Sequence, residues 1–252
     1  MSMLLLAKLT IAPAFVAAVS LIGRRFGPAV AGFLAALPVV GGPILALLIA
    51  EQGLEFGARA AFACAIGAAP TMIFALAYSL VAPRVRWGRA ITLGYATYFV
   101  AAAVLLAVPP SLTTATIVPL ATWWLVLRVF PRASAEAFPR APSRWDLPVR
   151  IVATMTLVLL ITTLASVIGP ERSGLFTPFP IATAVLAVFA HRDAGGASAS
   201  VLLRALVRGL VSFVAFFVVV GATLDAVGAI ASFVTGGLVA LGVHAIVSKL
   251  AR

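Results

Sequence analysis

The sequence predicts an all-α, polytopic transmembrane helical bundle of about nine spans, built as an inverted-topology internal repeat (4+1+4). Three observations predict it. First, 63% of the 252 residues are hydrophobic and the mean hydropathy is +1.17, whereas soluble domains hold about 45–50% apolar residues. A compact body of this size still exposes a large area, so water would face apolar surface that it cannot solvate. Second, apolar runs continue for roughly 17–23 residues without alternation, the length of a helix crossing about 30 Å of hydrocarbon. Barrel strands would alternate over about ten residues. Third, glycines and prolines recur at a fixed separation of 142 residues.

The apolar runs place spans near 3–22, 28–50, 60–82, 90–108, 112–130, 149–168, 174–190, 201–223 and 227–248. Charges, prolines and glycines fill the breaks: Arg24-Arg25, Glu51-Gln52-Gly53, Pro83-Arg84, Pro109-Pro110, Pro131 to Pro148, Gly169 to Arg172, His191 to Gly196, and Asp225. Met1 to Ile22 lacks a basic leading region and Lys8 interrupts it, so it reads as a span rather than a cleaved signal. With these spans, one membrane side receives 15 of the 18 Lys and Arg residues and the other receives Lys8, Arg59 and Arg172. Such asymmetry marks the first side as cytoplasmic. The expected location is a bacterial inner membrane, with the N-terminus outside and the C-terminus in the cytoplasm. The net charge of +11 does not imply nucleic acid as a partner, because the basic residues recur between apolar runs rather than forming one patch.

Shifted by 142, Gly27-Pro28 falls on Gly169-Pro170, Gly32 on Gly174, Pro38 on Pro180, Gly53 on Gly195, Gly67 on Gly209 and Gly94 on Gly236. Glycine and proline matches carry weight because each reports a backbone requirement. The shift moves span one onto span six, an odd number, so the two copies cross in opposite directions. The expected organisation is a first repeat of four spans (1–110), a linking span and cytoplasmic linker (111–148), and a second, inverted repeat (149–252). Inverted repeats recur in secondary transporters.

Span two carries Leu37-Pro38-Val39-Val40-Gly41-Gly42-Pro43, and its mate carries Phe176-Thr177-Pro178-Phe179-Pro180. Proline inside a helix removes a hydrogen bond and clashes with the preceding turn. Paired interruptions at matching places in two halves point to a midplane site. Pro38, Gly41, Gly42, Pro43, Thr177, Pro178, Pro180 and Thr183 are the candidate substrate-binding residues. Freed carbonyls suit a cation and half-helix N-termini suit an anion. Glu51 and Asp193, at matching repeat positions, are candidate paired gates. Arg204 and Arg208 share one helix face at i and i+4, as an anion contact or as cytoplasmic anchors. His244, inside the last span, is a candidate proton relay. Trp87, Trp123, Trp124, Tyr95 and Tyr98 read as interfacial anchors, and the scattered threonines as helix-to-helix hydrogen bonders. The single Cys64 reads as a small packed residue. Zinc-protease, nucleophile-elbow, P-loop and EF-hand signatures are absent from the sequence, so no enzymatic activity, metal or cofactor is expected.

The stretch Ser173 to Pro180, with the apolar run that follows and His191, resembles the small GlpM-type bacterial inner-membrane proteins. Arg25 to Pro28 through Glu51-Gln52-Gly53 is similar to a segment of larger bacterial membrane proteins. Together these stretches cover about a fifth of the chain, and the GlpM-type proteins are about half its length. The resemblance implies an inner-membrane location and a tie to envelope polysaccharide or metabolite handling. The leading expectation is a secondary transporter of a small solute, working by alternating access in the lipid bilayer, with a homodimer as one assembly. The alternatives are a non-transporting scaffold or regulator of envelope biosynthesis, with broken helices packed tightly and no polar cavity between them, and a lipid-handling protein opening beside Arg204 and Arg208.

Overall fold

The computed structural model describes residues 10, 14, 17–18, 21, 25–26, 28–38, 40–131 and 145–250. Most of the first expected span, the linker charges Arg132, Glu136, Arg140 and Arg144, and Val39 lie outside them. The described chain is helical, with no strand among its described residues. In chain order the helices are α1 (Pro28–Ala35), α2 (Gly41–Gln52), α3 (Leu54–Val81), α4 (Trp87–Leu105), α5 (Leu112–Val129), α6 (Asp146–Phe176) and α7 (Ile181–Leu250).

Four described stretches are long and apolar enough to cross a bilayer: Leu54–Val81, Trp87–Leu105, Leu112–Val129 and Thr183–Lys249. The outer surface agrees with a lipid solvent. Val100 is 67% exposed, Leu238 66% and Ile230 84%, an apolar exterior that water would oppose. The interior is built on small residues instead. α3 is the hub, packed against α4, α5, α6 and α7. Its buried face runs through Ala60, Ala61, Cys64, Ala65, Ala68 and Ala69. Small side chains let backbones approach closely where no hydrophobic force drives association.

Several helices meet at corners made by one residue. Gly53, between α2 and α3, has φ 92° and ψ 175°, and Gly195, inside α7, has φ 84° and ψ 168°. These two glycines stand 142 residues apart and share one conformation, which a residue with a Cβ adopts only under strain. Gly169 bends α6 and Gly228 bends α7 again in the same way. α7 is therefore three straight segments, 181–194, 196–227 and 229–250. The position matching Gly228 is Arg86, which turns the chain before α4 with ordinary extended backbone (φ −67°, ψ 153°).

Close contacts repeat with the same offset. A methyl group added at Gly67 would meet Leu175 O and Pro178, and one added at Gly209 would meet Phe33 O and Ala36. Leu175 matches Phe33 and Pro178 matches Ala36, so the two contacts are one contact with the halves exchanged. Likewise a methyl at Gly94 would lie 2.8 Å from the Phe74 ring, and one at Gly236 would lie 3.2 Å from the matching Phe216 ring.

α5 stands apart from this correspondence. Ser111 caps it, accepting from the Thr114 amide at 3.2 Å while Thr114 Oγ1 accepts from the Ser111 amide at 2.9 Å. This reciprocal pair satisfies two amides that a helix start leaves open. Its far end is held by Arg204 Nη1, which donates to Phe130 O and Pro131 O, each at 3.2 Å.

Candidate functional site

Both expected interruptions are present. α1 ends at Ala35 and α2 begins at Gly41; α6 ends at Phe176 and α7 begins at Ile181. Between them lies a cavity of about 70 Å³, lined on one side by Ala35, Leu37, Val40 and Gly41 and on the other by Thr177, Pro178, Phe179, Pro180 and Thr183, with Thr71 and Phe213 closing it. The lining pairs up at the 142-residue offset: Ala35 with Thr177, Leu37 with Phe179, Gly41 with Thr183 and Thr71 with Phe213. Hydroxyls stand at one member of three of these pairs, so the cavity is symmetric in backbone and one-sided in chemistry.

The hydrogen bonds show how each break is held. Thr71 Oγ1 donates to Pro178 O at 2.8 Å, across the halves. Thr177 Oγ1 donates back to Ser173 O at 2.7 Å. The Gly42 amide reaches Pro38 O at 2.8 Å, and the Ala184 amide reaches the matching Pro180 O at 2.8 Å. Ile181 N donates to Phe179 O at 2.8 Å. Thr183 is 8% exposed, and its hydroxyl makes no hydrogen bond among the described residues.

Beside this cavity lies an apolar chamber of about 620 Å³. Pro38, Gly42 and Pro43 line it, together with Leu37, Phe216, Phe233, Gly237, Ala240 and Leu241. The matching positions in the other half are filled. Gly237 corresponds to Tyr95, Ala240 to Tyr98, Leu241 to Phe99 and Leu37 to Phe179. There the Tyr95 ring stacks on Phe179 (centroids 5.0 to 5.4 Å for the two tyrosines), with Tyr98 edge-on and Phe99 at 5.7 Å. Phe74 packs on Tyr95 at 5.1 Å. Offset and edge-on geometries of this kind stabilise ring clusters. Tyr98 is fully buried and its hydroxyl has no partner. Tyr98 is thus a packing residue and not an interfacial anchor. Sequence reading sees that a helix is aromatic, not which face the ring takes.

Past the aromatic cluster, Tyr78 Oη and His191 Nδ1 lie 3.1 Å apart. Burial lowers the pKa of His191, while a hydrogen bond with the Val85 backbone opposes the shift. His191 also lines a crevice of about 1100 Å³ shared with Arg84, Arg86, Trp87, Arg89 and Arg192. No carboxylate is among its described lining residues. Asp193 lies behind it, 3.2 Å from Arg192 Nε.

The remaining candidates are dispersed. Glu51 sits at the end of α2 and Asp193 near the Gly195 corner, far from the cavity lining. Arg204 is committed to the end of α5, and half-buried Arg208 lies one turn on. His244 Nδ1 is 2.8 Å from Ser212 Oγ, and its ring lies 3.6 Å from that of Phe33. Cys64 is buried. No group of three or more metal-ligating side chains occurs among the described residues. The sequence pointed to the prolines and glycines of the site but not to Thr71, which read as one threonine among many. Its signal was available in the offset, since Thr71 matches Phe213 across the repeat. Set against family models, curated proteins and solved structures, the chain matches none.

Proposed function

We propose that this protein is a secondary transporter of a small solute, built from two inverted repeats of four spans joined by α5, and that it works by alternating access. One observation carries the reading. Positions related by the 142-residue offset are packed with aromatic rings in one half and surround an empty chamber in the other. A symmetric transporter at rest in one state has this property: one access route closed and its mate open. The exchanged glycine contacts and the matching corners at Gly53 and Gly195 support the repeat. With the cytoplasmic side assigned from Lys and Arg, the aromatic cluster closes the inner route and the chamber opens outward.

The polar cavity between the broken helices favours transport over the scaffold alternative, which expects tight packing there. The lipid-handling alternative needs Arg204 free beside a lateral opening, and Arg204 instead holds the end of α5. The test is paired labelling in a Cys64→Ala background. Ala46→Cys, in the chamber, should react with a membrane-impermeant thiol reagent from outside. Tyr95→Cys should react from the cytoplasmic side, and conditions that raise one rate should lower the other. Two rates that never move in opposition would exclude alternating access.

A further inference from the structure

The geometry points to a compact anion, of halide size, as the species held between the two broken helices. Its movement rests on the transport reading above; its binding does not.

Size narrows the choice first. The cavity of about 70 Å³ has room for a few waters. It is well below the roughly 300 Å³ where pockets for organic ligands begin.

Charge decides next. No Asp, Glu, Lys or Arg lines the cavity, and the carbonyls that a cation would need are engaged. Pro178 O takes the Thr71 hydroxyl, and Pro38 O, Phe179 O and Pro180 O take amides. Donors and positive dipole ends are what remain. α2 begins at Gly41 and α7 at Ile181, and Gly41 and Thr183, from their first turns, both line the cavity. Each helix start carries about half a positive charge, so the two together approach one elementary charge with no anion on the protein to meet it. First-turn amides have no acceptor within the helix. The unpartnered Thr183 hydroxyl, on a residue 8% exposed, adds a side-chain donor at the same place.

The approach carries the same sign. α3 runs from Thr71 to the crevice at Ala82, about 16 Å at 1.5 Å per residue. The first segment of α7 runs from Thr183 to Arg192 alongside it. Arg84, Arg86, Arg89 and Arg192 line that crevice. A cleft lined by one sign of charge concentrates the opposite ion. The corresponding end of the other half has Asp225 and no arginine, so the electropositive mouth belongs to one side of the protein only.

The experiment uses the full chain in proteoliposomes, with fluoride, chloride and bromide as probes and rubidium as the cation control. Halide release should exceed that of protein-free vesicles, and rubidium release should not. Thr183→Val keeps the shape and removes the donor; it should slow halide release about tenfold or more, the loss of one hydrogen bond to a charged group. Thr183→Ser should restore most of it. In detergent, sodium halides should raise the Tm of the native protein above that in sodium gluconate, and Thr183→Val should lose the difference. Rubidium release in place of halide release overturns the assignment, as does a Thr183→Val protein with native halide release and native halide-dependent Tm. If the thiol labels alternate while no halide binds or moves, the anion assignment fails and the transport reading stands. If halide binds but the labels never alternate, the reverse holds.

Discussion

The aromatic cluster around Phe179 and the empty chamber around Leu37 occupy corresponding places in the two halves, yet one is solid and the other hollow. The backbone does not account for the difference. Both sit beside a proline break, both are flanked by a glycine against a phenylalanine ring (Gly94 on Phe74, Gly236 on Phe216), and both halves turn at a left-handed glycine. Side-chain volume accounts for it: two tyrosines on α4 face a glycine and an alanine at the end of α7. A repeat can keep its scaffold and diverge in what fills it, and the filling decides which side is closed.

The largest expected effect comes from filling the hollow. A Cβ at Gly237 would meet nothing within 4 Å, so Gly237→Tyr has room for the ring that Tyr95 supplies in the other half. Burying it adds aromatic contacts worth about 1 kcal/mol beyond area. Reactivity of Ala46→Cys from outside should then fall by about tenfold or more. Unchanged labelling would mean the chamber is not the outer route.

Emptying the solid side is the converse. Tyr98→Ala removes a fully buried ring and should destabilise the protein by about 3–5 kcal/mol, read as a loss of Tm in detergent. Tyr95→Cys should become more reactive from the cytoplasmic side in the same variant. Tyr98→Phe takes away only an unpartnered hydroxyl, and leaving such a group buried costs about 1–3 kcal/mol. That variant should be as stable as the native protein or more so.

The two corner glycines test whether the halves are equivalent where they look so. Neither Gly53 nor Gly195 has an atom within 4 Å of an added Cβ, so alanine meets only backbone strain, about 1–2 kcal/mol at each. Equal losses of Tm support equivalence, and a large inequality breaks it. By contrast, Gly67→Ala should cost more than Gly209→Ala. Its methyl would press on the Leu175 carbonyl and Pro178, while Gly209 would meet Phe33 O at 3.1 Å and the Ala36 methyl at 2.7 Å.

The smallest effect concerns acid. Burial holds the pKa of His191 below its ordinary value near 6.5. The unfolded chain therefore takes the proton first, and stability is complete above about pH 6.5 and declines as pH falls below it. Charging the ring also removes Nδ1 as an acceptor for Tyr78 Oη and adds a cation to a crevice already holding Arg84, Arg86, Arg89 and Arg192. The acid-side fall of Tm should shrink in His191→Gln.

Much of this frame was legible in the sequence because glycine and proline report backbone geometry directly. Pro38 and Pro180 marked the breaks, Gly53 and Gly195 marked corners, and Gly67 and Gly209 marked close approaches. The chemistry was less legible. Threonine hydrogen-bonds its own helix by default, so nothing local set Thr71 apart until Pro178 O lay 2.8 Å away. Tyr95 and Tyr98 fit the composition of an interfacial belt, and only packing shows the rings turned inward. Arg204 looked like a lipid or gate contact, but its partners are carbonyls 74 and 73 residues away in sequence. The inequality between Tyr95 and Gly237 was present in the sequence. It becomes informative only once the two positions are known to be equivalent in space.

The clasp of Arg204 on Phe130 and Pro131 has a consequence for how the chain is made. The linking helix is fastened to the second half by side-chain contacts, so its peptide bond to that half is not its only attachment. Two separate polypeptides, divided between 131 and 145 and produced together, have the surfaces needed to find each other in the bilayer. A protein that reassembles from such pieces keeps a physical trace of a time when two shorter chains performed its task.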